Sequence, residues 1–225
     1  MNIYLHALRE DLRNPLHIIL VFLLPIPVLF IPAHPHSFPF GLTLYGMMLF
    51  YSAFLLSRPI VEDRMQKIVI RIAASPVSTL QYLASHLLAY VTLLIVQIGI
   101  FLMGSLILHG DLVWGRISLF ALYISFSIMC IAFTLAWNML FRSFTISFAV
   151  FAGVASLMCL FSGVSMPLFL LPTPIIRYIM FLPTYWLPHG IEALYHGDVG
   201  AIAQSHMILL AYAVIFLLLG SKRRL

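Results

Sequence analysis

The stretch VEDRMQKIVIRIAASPVSTLQYL, Val61 to Leu83, is the longest interruption in an otherwise apolar chain. Glu62, Asp63, Arg64, Lys67 and Arg71 are charged and Gln66 is polar. Asp63, Lys67 and Arg71 are spaced four apart, so on a helix they share one face, where Asp63 can pair with Lys67. Met65, Ile68, Val69 and Ile72 take the other face. The spacing predicts an amphipathic helix of about three turns, beginning at Glu62 and stopped at Ser75-Pro76, because Pro76 disfavours helix at the residue before it. Such a helix can lie in lipid headgroups. It can equally be a docking element that receives force from a partner. Periodicity fits both.

Working outward, 63% of the 225 residues are apolar and 8% are charged. A soluble domain carries roughly 25% charge. The composition defines a polytopic membrane protein, read as one transmembrane domain over 1–225. The formal charge of +5 reflects topology. A nucleic-acid patch needs clustered basic residues, and these occur only at Lys222 to Arg224. Cys130 and Cys159 sit inside apolar runs and form no disulfide framework.

Residues 1–15 suggest a short interfacial helix, with Ile3, Leu5, Leu8 and Leu12 against Arg9 and Arg13. A signal peptide is a poor match, since Glu10 and Asp11 lie in the charged stretch and Pro25 and Pro27 interrupt the apolar run. A spanning helix needs ~20 residues. Six spans are expected, at about 16–32, 40–60, 80–108, 117–140, 146–165 and 203–220, making an all-α fold. The first is short and proline-rich, so it should kink or tilt. With six spans, ten of the twelve Lys and Arg residues fall on the side of the termini, and Arg116 and Arg177 fall on the other. The excess of basic residues in inner loops then predicts both termini and Val61–Leu83 to be cytoplasmic.

No Asp, Glu, Lys or Arg lies deep in an expected span, where ion-coupled carriers usually keep such residues. Ser162-Gly163-Val164-Ser165 could be imagined as a nucleophile site. A serine enzyme needs a base within reach, and His189 and His196 have no clear orienting partner. A phosphate loop needs glycine before a lysine, and neither Lys67 nor Lys222 is placed that way. ATP, if used, is bound by another subunit.

Before the last span lies MPLFLLPTPIIRYIMFLPTYWLPHGIEALYHGDVGAIAQ, Met166 to Gln204. Pro167, Pro172, Pro174, Pro183 and Pro188 divide it into short pieces. Tyr178, Tyr185, Trp186 and Tyr195 suit the headgroup level. Short helices that dip into the outer leaflet and return fit this pattern.

On these residues the chain resembles the membrane subunits of the type-2 ATP-binding-cassette exporters (ABC-2). Glu62-Asp63-Arg64, followed by Ala74-Ser75-Pro76-Val77-Ser78 and Tyr82, looks like that family's coupling helix and its exit into the third span. Leu182-Pro183-Thr184-Tyr185-Trp186, with Glu192-Ala193-Leu194 and Gly197, is similar to its outer re-entrant helices. Gln66 and Lys67 depart from the family's frequent glycine in that region. The resemblance implies a permease that pairs with a second, identical or related, permease. Two cytoplasmic ATPase subunits, using ATP and magnesium, would dock on Glu62, Asp63, Arg64, Lys67, Arg71, Ser75 and Pro76. An amphipathic or lipid-like substrate would move outward from the cytoplasm or inner leaflet. The alternatives are a haem-export permease, suggested by outer histidines such as His34-x-His36, and a non-transporting assembly factor.

Two further expectations come from the residues themselves. Ala149, Ala152, Gly153 and Ser156 form a small-residue face that permits close helix contact, between subunits or within one. Glu192 is an acid in an apolar stretch, within reach of His189 and His196 along a helix and of Arg177. It either faces water or helps Arg177, Tyr185, Trp186 and His189 close an outer gate.

Overall fold

The computed structural model describes residues 8–9, 12–13, 15, 18–19, 23–31, 40–65, 79–109, 115–167 and 177–222. Among them every regular element is helical. In chain order they are α1 (Ile26–Leu29), α2 (Phe40–Leu56), α3 (Arg58–Met65), α4 (Thr79–His109), α5 (Arg116–Asn138), α6 (Phe144–Phe161), a 3-10 turn at Pro183–Tyr185, α7 (Trp186–His196) and α8 (Val199–Lys222). Five stretches are long and apolar enough to cross a bilayer: Phe40–Glu62, Ala84–Leu108, Arg116–Asn138, Phe144–Phe161 and Val199–Ser221. The expected first span, 16–32, is described only in part. A turn falls at residues 24–25, and α1 follows Pro25 with Pro27 in its first turn. Most of the expected N-terminal interfacial helix lies outside the described residues.

Three boundaries differ from the sequence reading, each for a local reason. The second span runs past residue 60 to Glu62, but a turn at Ser57 divides it into α2 and α3. Pro59 has no N–H to give to a carbonyl four residues back, and its ring would crowd that carbonyl, whereas it is well tolerated in the first turn of a new helix. The fifth span ends at Phe161 rather than 165, with Gly163 just beyond it at φ 85°. The last span begins at Val199 rather than 203. Gly197, at φ 72°, closes α7 with the Asp198 N–H donating to the Ala193 carbonyl at 2.9 Å. That is the glycine-dependent helix stop. Asp198 then caps α8 by accepting the Ala201 N–H at 3.0 Å.

Helix α5 is the centre of the bundle. It packs on α2, α4, α7 and α8, and 67% of its spanning window is buried, against 22% for α6 and 17% for α8. In lipid no hydrophobic force pulls helices together, so van der Waals packing and hydrogen bonds hold them. Near one end Tyr45 stacks on Phe101 with centroids 3.6 Å apart and meets Tyr123 edge-on at 5.2 Å. The Tyr123 hydroxyl donates to the Leu42 carbonyl at 2.7 Å. A second aromatic group, Phe50, Phe54, Phe133 and Phe151, joins α2, α5 and α6. Along α4 one side carries exposed Leu88, Val96, Met103 and Ile107, the lipid-facing stripe expected of a peripheral helix face.

Candidate functional site

The charged helix grows from a buried root. Ile60 and Val61 on α3 are 0% and 1% exposed, while Arg58 and Glu62 emerge at the surface, joined by an ion pair of 2.6 Å. The Arg58 guanidinium also lies over the Phe144 ring, 5.3 Å from its centroid. Glu62 therefore does not open the helix. It is the fifth residue of α3, one turn past Arg58, so its partner is a side chain rather than the helix N-terminus. Asp63 and Arg64 follow on α3. Lys67, Arg71, Ser75 and Pro76 lie outside the described residues.

Below this root is a set of hydrogen bonds that the sequence reading missed. The Ser57 hydroxyl donates to the Phe54 carbonyl at 2.6 Å, the Asn138 amide donates to Ser57 Oγ at 2.7 Å, and the Ser147 hydroxyl donates to Asn138 Oδ1 at 2.7 Å. Trp137 Nε1 donates to the Ser147 carbonyl at 3.3 Å. Ser57, Asn138 and Ser147 are all 0% exposed. The signal available in the sequence was Asn138 itself, an amide at the end of an apolar span that needs partners when buried.

At the other end of the bundle, α7 seats its apolar face on α5, α2 and α8. Trp186, Leu187, Gly190, Ile191 and Ala193 are buried, and Glu192 and His196 are exposed. Two glycines allow this seat. A Cβ on Gly46 would collide with Leu187, and one on Gly190 would lie 2.8 Å from Leu122 Cδ2. Trp186 Nε1 donates to the Met180 carbonyl at 3.2 Å, and the Tyr212 hydroxyl donates to the Phe181 carbonyl at 2.8 Å. His189 shares a hydrogen bond with Ser205 Oγ at 3.1 Å rather than an ion pair with Glu192. Glu192 makes no ion pair with a described residue, and Arg177 is exposed. Tyr185 and Trp186 lie against the His189 ring at 5.6 and 5.3 Å.

Burial lowers the His189 pKa, opposed by the Glu192 and Asp198 carboxylates. Burial, and then Glu192, raise that of Tyr185. His206, the other histidine on this side of α8, is engaged by Ser125 at 2.8 Å. The folded state therefore resists protonation of His189. The seat of α7 should be fully stable above pH ~6.5, the unfolded value, and weaken as pH falls through the lowered folded value, because the unseated state then binds more protons. A cysteine at Ala193, labelled from pH 8 to 5 and normalised to one at exposed Tyr195, should become more reactive on acidification. His189→Gln should flatten that profile. A profile unchanged by the substitution would remove His189 as its cause.

The small-residue face of α6 is divided. Ala149, Gly153 and Ser156 are exposed, Ala152 is half-buried, and nothing lies within 4 Å of a Cβ built on Gly153. Tyr51 reaches across to this helix, donating to the Ala152 carbonyl at 3.1 Å and lying 2.8 Å from Ser156 Oγ. The Ala152–Ser156 side thus meets α2 in the same chain, and the Ala149–Gly153 side is open.

Ser162 is buried in the turn after α6, with its hydroxyl toward the Cys159 carbonyl at 3.5 Å, and His189 bonds to Ser205 rather than to it. Among the described residues no three His, Cys, Asp or Glu side chains group as metal ligands. His34 and His36 lie outside the described residues.

Five apolar helices, four of them packed around a buried central one, define a multi-pass α-helical membrane protein. The chain belongs to the ABC-2 family of transporter proteins, whose family model matches residues 35–222. No curated protein matches the chain.

Proposed function

We propose that this chain is the permease subunit of an ATP-driven exporter, energised by a separate ATPase that binds ATP and magnesium. Membership of the ABC-2 family over residues 35–222 carries the reading. The placement of α3 supports it, since a charged helix rooted in the core passes an external push inward. In this reading the chain has six spans, counting 16–32, and both termini are cytoplasmic in the plasma or inner membrane of a bacterial cell. The ATPase docks on α3 and on the segment holding Lys67, Arg71, Ser75 and Pro76. A second permease pairs along Ala149 and Gly153. The α7 region, with Arg177, Tyr185, Trp186, His189 and Glu192, is the gate on the far side. The route favours an amphipathic or lipid-like substrate, because no ionised side chain lies deep in the spans.

The test is purification of the tagged chain from its native membrane after mild crosslinking. An ATPase subunit should accompany it. Arg71→Glu should insert normally and lower ATPase recovery several-fold, and Glu62→Ala should do so less, because its ion pair is half-exposed and worth about 0–1 kcal/mol. Recovery of the chain with no ATPase would return it to an anchoring or assembly role.

A further inference from the structure

The buried bonds around Asn138 link three elements: the Ser57 turn at the root of α3 and, 81 residues later, the end of α5, which is joined in turn to the first turn of α6. Ser57 gives its proton to the Phe54 carbonyl, so it can only accept from Asn138. Ser147 gives its proton to Asn138 Oδ1. The position therefore needs a donor on one side and an acceptor on the other, which a neutral amide supplies and a carboxylate or an aliphatic side chain does not. The Arg58 contact with Phe144 spans the same corner from outside. Helix α6 is otherwise peripheral, with 22% of its spanning window buried. This corner is thus a short path of buried hydrogen bonds from the charged helix to α6, a helix with little other burial.

We propose that Asn138 is a positioning residue that locks the root of α3 to the α5–α6 corner, so that a displacement of α3 is delivered to α6 and its open Ala149–Gly153 face. The inference rests on the exporter reading for what drives α3, but the lock itself is testable without any ATPase. Breaking one bond of a buried set leaves orphaned polar groups, whereas replacing all its members by apolar groups of similar size is nearly neutral for stability. The informative variant is therefore Asn138→Leu with Ser57→Ala and Ser147→Ala, compared with Asn138→Leu alone.

In the full chain in membrane vesicles, cysteines replacing Arg58 and Phe144 are joined with a short bifunctional thiol reagent. The native cysteines, Cys130 and Cys159, are buried. Crosslinking should be nearly complete with Asn138 present. It should fall at least three-fold in the triple variant, which should keep its membrane level and melting midpoint, while Asn138→Leu alone loses both. Equal crosslinking in parent and triple variant overturns the lock. In a second arm the chain is co-purified with its ATPase, and a cysteine at Gly153 is labelled with and without ATP and vanadate. The label should respond to nucleotide in the parent and not in the triple variant, with the KM for ATP unchanged. A response of equal size in both overturns delivery to α6. No response in either overturns the exporter reading, and the crosslinking arm still decides the lock.

Discussion

Phe151→Ala should free α6 from the bundle. The Phe151 ring is 0% exposed. It stacks on Phe54 at 4.1 Å and meets Phe50, Tyr51, Trp137 and Phe133 at 5.1, 5.7, 6.1 and 6.5 Å. Removing a buried phenylalanine costs about 3–5 kcal/mol through lost contacts and the cavity left behind. Most helices would absorb such a loss through other contacts. Here α6 has few, chiefly Ser147, Ala155, Cys159 and the Tyr51 hydrogen bonds. The detergent-solubilised variant should melt well below the parent, and a protease site inserted at Phe144 should be cut faster. Leu157→Ala, at a position 55% exposed, should change neither. Matching midpoints for Phe151→Ala and Leu157→Ala would show that the aromatic group does not anchor α6.

The second large effect is expected from Gly190→Leu. A Cβ there already meets Leu122 Cδ2 and Cδ1 at 2.8 and 2.9 Å and Ser205 Cβ at 3.2 Å. Alanine already forces the ends of the Leu122 side chain to shift. Leucine adds three more carbons where Leu122 itself is 0% exposed, and overpacking of that kind costs about 1–3 kcal/mol or more. The loss falls on the seat of α7, whose opposite contact, Leu187 against Gly46, is equally tight. A cysteine at Ala193 should label roughly ten-fold faster in Gly190→Leu, a factor equal to about 1.4 kcal/mol, with Gly190→Ala in between. Labelling at the parental rate in the leucine variant would place α7 elsewhere.

The features legible in the sequence were those written in runs. Spans three to six and the charged break after the second emerge from apolar length and charge alone, which lipid enforces residue by residue. Ala149 and Gly153 were recognisable as a close-approach face, and the structure leaves that side open. Single residues whose meaning depends on a distant partner were not legible. Pro59 sits inside an apolar run that belongs to the second span, and the run alone does not show that its missing N–H divides that span into α2 and α3. Asn138 reads as one polar residue at a span end until Ser57 and Ser147 are brought to it from 81 and 9 residues away. The partner of His189 was sought one turn along its own helix at Glu192. It lies on α8 at Ser205 instead, because the apolar face of α7 turns His189 partly inward and Glu192 outward.

The exposed stripe on α4 also sets a height. Leu88 and Ile107 are 19 residues apart, about 29 Å of helix, close to the ~30 Å hydrocarbon thickness of a bilayer. With that stripe in the acyl chains, the nine residues from Thr79 to Leu88 extend about 14 Å further. The headgroup layer on one side is roughly 5–7 Å deep. The apolar span itself begins four residues before Leu88, at Ala84, so Thr79 lies about 7–8 Å of helix beyond it, at the edge of the headgroup layer, with Tyr82 and His86 covered by protein on the way. The chain thus enters α4 from the charged stretch at the boundary between headgroups and water rather than within the acyl chains.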